Sequence, residues 1–204
     1  MARPREIGKR AEIAERAVAV LEREGLGIST EQLARAIGVK RPTLIYHFPT
    51  HTHVIETVLA TLLAEQMAFV ETRVEKHSHP IDRLYARLLA IAEFHRGREA
   101  RMLFLSQAVA VAGGPRAVEI VKRASDFFDL DRRAMVARVE RGIEEGLVEP
   151  CDARALISLL RALIDGLTIQ RVTTREPLEP VYQMIWERIL APLKKTEKKK
   201  KRAS

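Results

Sequence analysis

A chain of 204 residues, 47% hydrophobic but only 5% aromatic, suits one or two compact domains with an aliphatic core. Its net charge of +8 sits at the ends: nine Lys/Arg against six Glu in 1–50, nineteen against twenty acids in 51–190, and seven against one in 191–204. A neutral middle excludes a basic groove along the whole chain and leaves a basic head suited to a polyanion, while a lone Cys151 excludes an internal disulfide and fits a reducing cytoplasm.

In chain order, "MARPREIGKR" is basic but has no apolar run behind it, so no signal peptide is expected. Ile13, Ala17, Val20 and Leu21 recur at helical spacing from about 7 to 24, and Gly25 is placed to close that helix. Ser29-Thr30-Glu31-Gln32 reads as a capping box opening a short helix with Leu33, Ala34 and Ile37 inward. Gly38 ends it, Val39 returns to the core, and Pro42 suits the first turn of the next helix, whose apolar face continues through Leu44 and Phe48. A long helix from His51 to about Lys76 buries Ile55, Leu59, Leu62 and Leu63. Further helices are expected at 80–96, 99–112, 116–145, 152–172 and 177–194, separated by "HSHP", "RGRE", "GGP", "GLVEPCD" and "TTREPLEP". No alternating β-branched runs appear, and no stretch approaches about 18 uninterrupted apolar residues, so an all-α protein without a membrane span is expected.

Two short helices joined at Gly38-Val39 make a helix-turn-helix. Ala34 is small where the helices approach, and Val39 and Leu44 pack between them. The second helix can then present its amino end to a major groove. The candidate DNA-binding residues are Lys40, Arg41, Thr43, Tyr46 and His47, with Thr30 at a helix start suited to phosphate. Arg can read guanine in bidentate fashion, and Thr can meet a base or a thymine methyl.

"ISTEQLARAIGVKRPTLIYHFPTHTHVIETVL" resembles the DNA-binding domain of the TetR family of bacterial transcription regulators. The shared features are the Ser/Thr cap, "LA", "IGV", "PTL", "HF" and the apolar run opening the next helix, over about residues 10–63. "GLVEP" followed by "LLRALIDGL" is similar in layout but much less specific. The resemblance implies a three-helix head joined to a helical ligand-binding and dimerisation domain. It implies a homodimer on a double-stranded operator, and a repressor released by a small, largely apolar effector. Three positions depart from the family pattern. Ile45 stands where a phosphate-binding Tyr is usual, His51 where a Lys is usual, and Lys40 where a cap-like Ser is frequent. Specific binding with weaker anchoring is expected. The alternative is a regulator-like small-molecule- or metal-binding dimer with weak or lost specific DNA binding.

In the body, Leu156, Leu160, Leu163 and Leu167, with Tyr182, Trp186 and Ile189, form apolar surfaces wider than one face. Such helices bury two sides, which predicts a two-fold dimer through these residues. By the resemblance, the middle helices enclose an effector, with Phe69, Tyr85, Phe94, Met102, Phe104, Gln107, Phe128, Met135 and Asp165 as candidate lining residues. Asp131 and Arg132 fall near an inner face and could meet a polar ligand group, or lie in solvent.

His47, His51 and His53, and the pair His77 and His79, lack a Cys or carboxylate in a compact ligand pattern, so no metal site is expected. Neither a Gly-rich phosphate loop nor a nucleophile with a base stands out, so neither a cofactor nor an enzyme is expected. The domains are read as 1–50 for DNA binding, 51–193 for effector and dimerisation, and 194–204 as a basic disordered tail.

Overall fold

The computed structural model describes residues 4–101, 103–104, 107, 114–174 and 176–195. It is all-α: α1 spans Pro4–Glu24, α2 Thr30–Ala36, α3 Arg41–His47, α4 His51–Val74, α5 Pro80–His95, α6 Gly114–Glu144, α7 Ala153–Thr173 and α8 Glu179–Ile185. Residues 99–101, 103–104 and 107 are also helical. Among the described residues there is no strand, only an isolated antiparallel bridge between Val148 and Lys194.

By internal contacts the chain forms two compact units. One is Met1–Gln66 with Ala100–Asp126, and the other is Met67–Glu99 with Phe127–Ser204. The grouping differs from a cut at residue 50. The first two-thirds of α4 and a later segment pack with the head, because Val54, Ile55, Val58, Leu62 and Leu63 are buried there.

In the first unit, α1 packs on α2 and α2 on α3. Ile13, Ala17, Val18 and Leu21 of α1 are buried, as are Leu33, Ala34, Ile37, Leu44 and Phe48. The turn is a Schellman motif. Gly38, at φ +70°, donates its N–H to Arg35 O at 3.1 Å, and Val39 donates to Ala34 O at 3.0 Å. Only glycine takes that φ without strain.

In the second unit, Ile81, Leu84 and Leu88 of α5 pack with Val139, Val148, Leu156, Leu160, Leu178, Tyr182 and Leu190. Gly142 of α6 makes this possible. A Cβ there would lie 2.9 Å from both Pro80 Cγ and Val148 Cγ2. Val70, Val74, Ala90 and Ile91 form a second cluster where α4 meets α5.

The end of the chain departs from expectation. The helix expected at 177–194 stops at Ile185 and passes through a π turn, Trp186–Leu190, into a 3₁₀ turn, Ala191–Leu193. The expected tail also starts too early. Lys194 binds Asp82 at 2.7 and 2.9 Å, and Lys195 donates its N–H to Leu147 O at 3.0 Å. A mixed run of charges carries no signal that two of its lysines have acceptors far away in sequence. Residues 196–204 lie outside the described residues.

Candidate nucleic-acid interface

The outward side of α3 carries five of the six candidate DNA-binding residues. Lys40 and Arg41 are exposed at its start, Thr43 and His47 are half-buried, and Tyr46 is 76% exposed. The inward side is held by Leu44 and Phe48, which are 1% and 2% exposed. α3 is therefore fixed by packing while its polar side chains stay free. Tyr46 and His47 pack edge to face with ring centroids 5.0 Å apart. Lys40 takes the N-cap position without a side-chain bond to the helix, so no side chain caps the amides of its first turn. The sixth candidate, Thr30, opens α2 directly after the Ser29 cap.

The cap itself is complete. Ser29 Oγ accepts the Gln32 N–H at 3.2 Å, and Gln32 Oε1 accepts the Ser29 N–H at 3.0 Å. That bond pair sets where α2 begins, and so where Thr30 stands.

Ile45 is 37% exposed beside Tyr46. It adds a branched apolar surface to the exposed part of α3. His51 behaves differently from a solvent-facing anchor. It opens α4 half-buried, and its Nε2 is enclosed without a hydrogen-bond partner. A basic residue not signalled by spacing is Arg10, exposed on α1 with its guanidinium 5.2 Å from the Phe48 ring centroid. Residues 38 positions apart show no pattern that sequence periodicity can detect.

Two further histidines have structural partners. Thr50 Oγ1 and His53 Nδ1 lie 2.8 Å apart. His79 Nδ1 accepts the Ile81 N–H at 3.2 Å, and its Nε2 lies 3.1 Å from Leu147 O. Both His79 nitrogens are thus used in capping α5 and holding the turn after α6. Among the described residues no cluster of His, Cys, Asp and Glu could hold a metal.

The effector candidates fall into separate groups. Phe69 and Phe94 pack at 5.4 Å, with the Arg73 guanidinium 3.3 Å from the Phe69 centroid. Tyr85 packs on Trp186 at 4.9 Å. Phe128 lies under Arg161 at 5.1 Å, and Arg161 also pairs with the exposed Asp165 at 2.8 Å. Phe104 is half-buried and Gln107 exposed, both in the first unit, and Met102 lies outside the described residues. Met135 lines a cleft of about 100 Å³ in the second unit.

That cleft mixes charged and apolar side chains. Glu71, Arg83, Arg87, Asp131 and Arg138 line it with Val74, Leu84, Met135 and Val139. Arg87 donates to Asp131 from Nη1 at 2.8 Å and from Nη2 at 3.1 Å. Burial holds the Asp131 carboxyl above the ordinary aspartate range; Arg87 opposes this and Glu71 adds to it. Arg132, by contrast, is exposed and pairs with Asp129.

The expected dimer residues are also placed differently. Leu156, Leu160, Leu167 and Tyr182 are 5–7% exposed inside the chain's own core, with Leu163, Trp186 and Ile189 packed against it. The exposed apolar residues are Leu159 at 44% and Ile169 at 55% on α7, and Met184 at 63% on α8. The helices are two-sided as read, but α5 and α6 claim the side that had been assigned to a partner.

No protein-family model and no curated protein sequence matches the chain. Solved structures do. A TetR transcription regulator from Haloarcula marismortui matches with a TM-score of 0.73 at 17% identity, over 92% of this chain and 100% of that one. The ketosteroid transcriptional regulator KstR2 of Mycobacterium tuberculosis matches at 0.61 and 22%, over 92% and 96%. AibR, solved with isovaleryl coenzyme A and operator DNA, matches at 0.56 and 19%, over 79% and 85%. With its capped helix-turn-helix and helical second unit, the chain has the fold of the TetR-type transcriptional regulators.

Proposed function

We propose that this protein is a TetR-type DNA-binding transcriptional regulator, acting in the cytoplasm rather than as an enzyme. α3 enters the major groove. Arg41, Thr43 and Tyr46 meet bases, and Lys40, His47 and Thr30 meet backbone or groove edges. The observation that carries this reading is the exposed polar side of α3 on a fully packed, Schellman-turned helix pair. The operator complex of AibR, on the same fold, supports it.

The protein acts as a homodimer, with residues 1–50 reading DNA and the body carrying the dimer and effector surfaces. The partner copy covers the side of α7 bearing Leu159, Ala162, Gly166 and Ile169, about 140° around the helix from its core side. Effector binding weakens operator binding by favouring a different arrangement of the paired reading helices. α4 is long and apolar enough to span a membrane. Its buried Val54, Ile55, Val58 and Leu62 support a core helix instead.

Selection of bound sequences from a random DNA pool tests the function. A two-fold-related consensus is expected, and Arg41→Ala should relax one base position per half-site at a cost of about 1–3 kcal/mol. No enriched sequence for the wild type would overturn the reading.

A further inference from the structure

The cleft between α4, α5 and α6 in the second unit has a charge arrangement that identifies a ligand class. Three guanidinium groups, from Arg83, Arg87 and Arg138, face two carboxylates, from Glu71 and Asp131. Arg83 is held by Glu71 Oε1 at 3.3 Å and by His77 O at 3.1 Å. Arg87 is held by both Asp131 oxygens and, at 3.5 Å, by Glu71. The charges therefore leave one cation in excess, and it falls on Arg138 at the exposed edge. The Arg83 and Arg87 side chains are only 14% and 11% exposed, so solvent screens them weakly. The rest of the lining is apolar and comes from the same three helices: Val74, Pro80, Leu84, Ala134, Met135 and Val139.

A planar carboxylate already sits in the Arg87 fork, in the form of Asp131. Guanidinium favours that geometry over a point-charge contact. An incoming carboxylate can share or take this fork beside Arg138, where the excess charge lies. A cleft of about 100 Å³ is somewhat smaller than the roughly 150 Å³ at which a cavity takes up benzene, so it suits a short-chain acid.

We propose that this cleft binds a small organic carboxylate, with its charged end on Arg87 and Arg138 and its alkyl end on Val74, Leu84, Met135 and Val139. Its role as an effector rests on the regulator reading above; its binding does not, and is measured without DNA.

Calorimetry on the full-length protein tests the site, with sodium butyrate, the neutral isostere butyramide and inorganic phosphate as probes. Butyrate should bind at one site per chain. Butyramide should bind at least tenfold more weakly, for want of charge, and phosphate likewise, for want of an alkyl end. Arg138→Gln should weaken butyrate binding at least tenfold. Arg138 is exposed, so this change spares the fold. The double variant Arg87→Gln/Asp131→Asn removes the fork without orphaning either charge, and should abolish binding. Arg161→Gln, outside the cleft, should leave butyrate affinity unchanged. The proposal is overturned if butyrate does not bind, if butyramide or phosphate binds as well, or if butyrate affinity survives both cleft variants. If butyrate binds as described but no DNA sequence is ever enriched, the site stands and the regulator reading falls.

Discussion

The Arg101 guanidinium donates from Nη1 to Glu15 Oε2 at 2.8 Å, across 86 residues of sequence. Its Nε donates to Glu22 Oε1 at 3.0 Å, two helical turns further along α1. One side chain thus fastens the segment beginning at Ala100 to the first helix of the chain, inside the same compact unit. Arg101→Ala should destabilise the protein by about 1 kcal/mol, at the upper end for partly exposed pairs. Denaturant unfolding measures this. A double-mutant cycle with Glu15→Gln should show coupling, and strict additivity would mean that the pair contributes nothing.

Ile45 and His51 stand where firmer phosphate contacts are usual in proteins this chain resembles. Ile45→Tyr replaces a 37% exposed apolar side chain with a hydroxyl donor. Operator affinity should rise by about 0.5–1.5 kcal/mol with the consensus unchanged. His51→Lys supplies a flexible ammonium in place of a ring whose Nε2 is enclosed. It should steepen the slope of log affinity against log salt by about 0.9 per subunit. A shifted consensus for Ile45→Tyr would show instead that Ile45 reads a base, such as a thymine methyl.

Stability should fall in mild acid through His95. Burial holds its imidazole below the ordinary histidine range; Glu99 opposes this and Arg98 assists it. The folded state therefore resists a proton that the unfolded chain accepts near pH 6.5. The stability contribution is fully present above that pH. It is lost as pH falls toward the lower folded value, and below that value no further loss comes from this group. His95→Leu should flatten this part of the stability curve below about pH 6.5. An unaltered pH profile would assign the acid loss to other groups.

Sedimentation at micromolar concentration should give twice the chain mass of 23.1 kDa. Leu159→Glu together with Ile169→Glu places charges on the exposed side of α7 and should produce monomers with unchanged helix content. The core-facing Leu160→Glu should instead unfold the second unit, since Leu160 is 5% exposed. A double variant that remains dimeric would move the interface elsewhere.

Deleting residues 196–204 removes five basic residues but leaves Lys194 on Asp82. The salt dependence of DNA binding should become shallower while the preferred sequence stays the same. An unchanged slope would show that the tail does not approach DNA.

The helix-turn-helix was readable from residues because its signals are local. The Ser29–Gln32 box, Gly38 and Pro42 each act within four residues of their own position, where spacing maps directly onto backbone geometry. Periodicity likewise showed that α7 is apolar on two sides. It could not say which side faces the chain's own core, because that depends on where α5 and the end of the chain lie. The π turn at Trp186–Leu190 changes the helical phase just where the last residues were assigned. The charged cleft had the weakest signal. Asp131 falls near an inner face by its spacing, but nothing in the spacing links it to Arg83, Arg87 or Arg138. Only the packing of α5 and α6 against the end of α4 brings those arginines to Glu71 and Asp131. Sequence by itself thus determined most of the helical segments, the capping of the helix-turn-helix and which residues α3 can offer to DNA. Tertiary structure decided which apolar side is buried and which charges share a low-dielectric space, because both are set by neighbours far away along the chain.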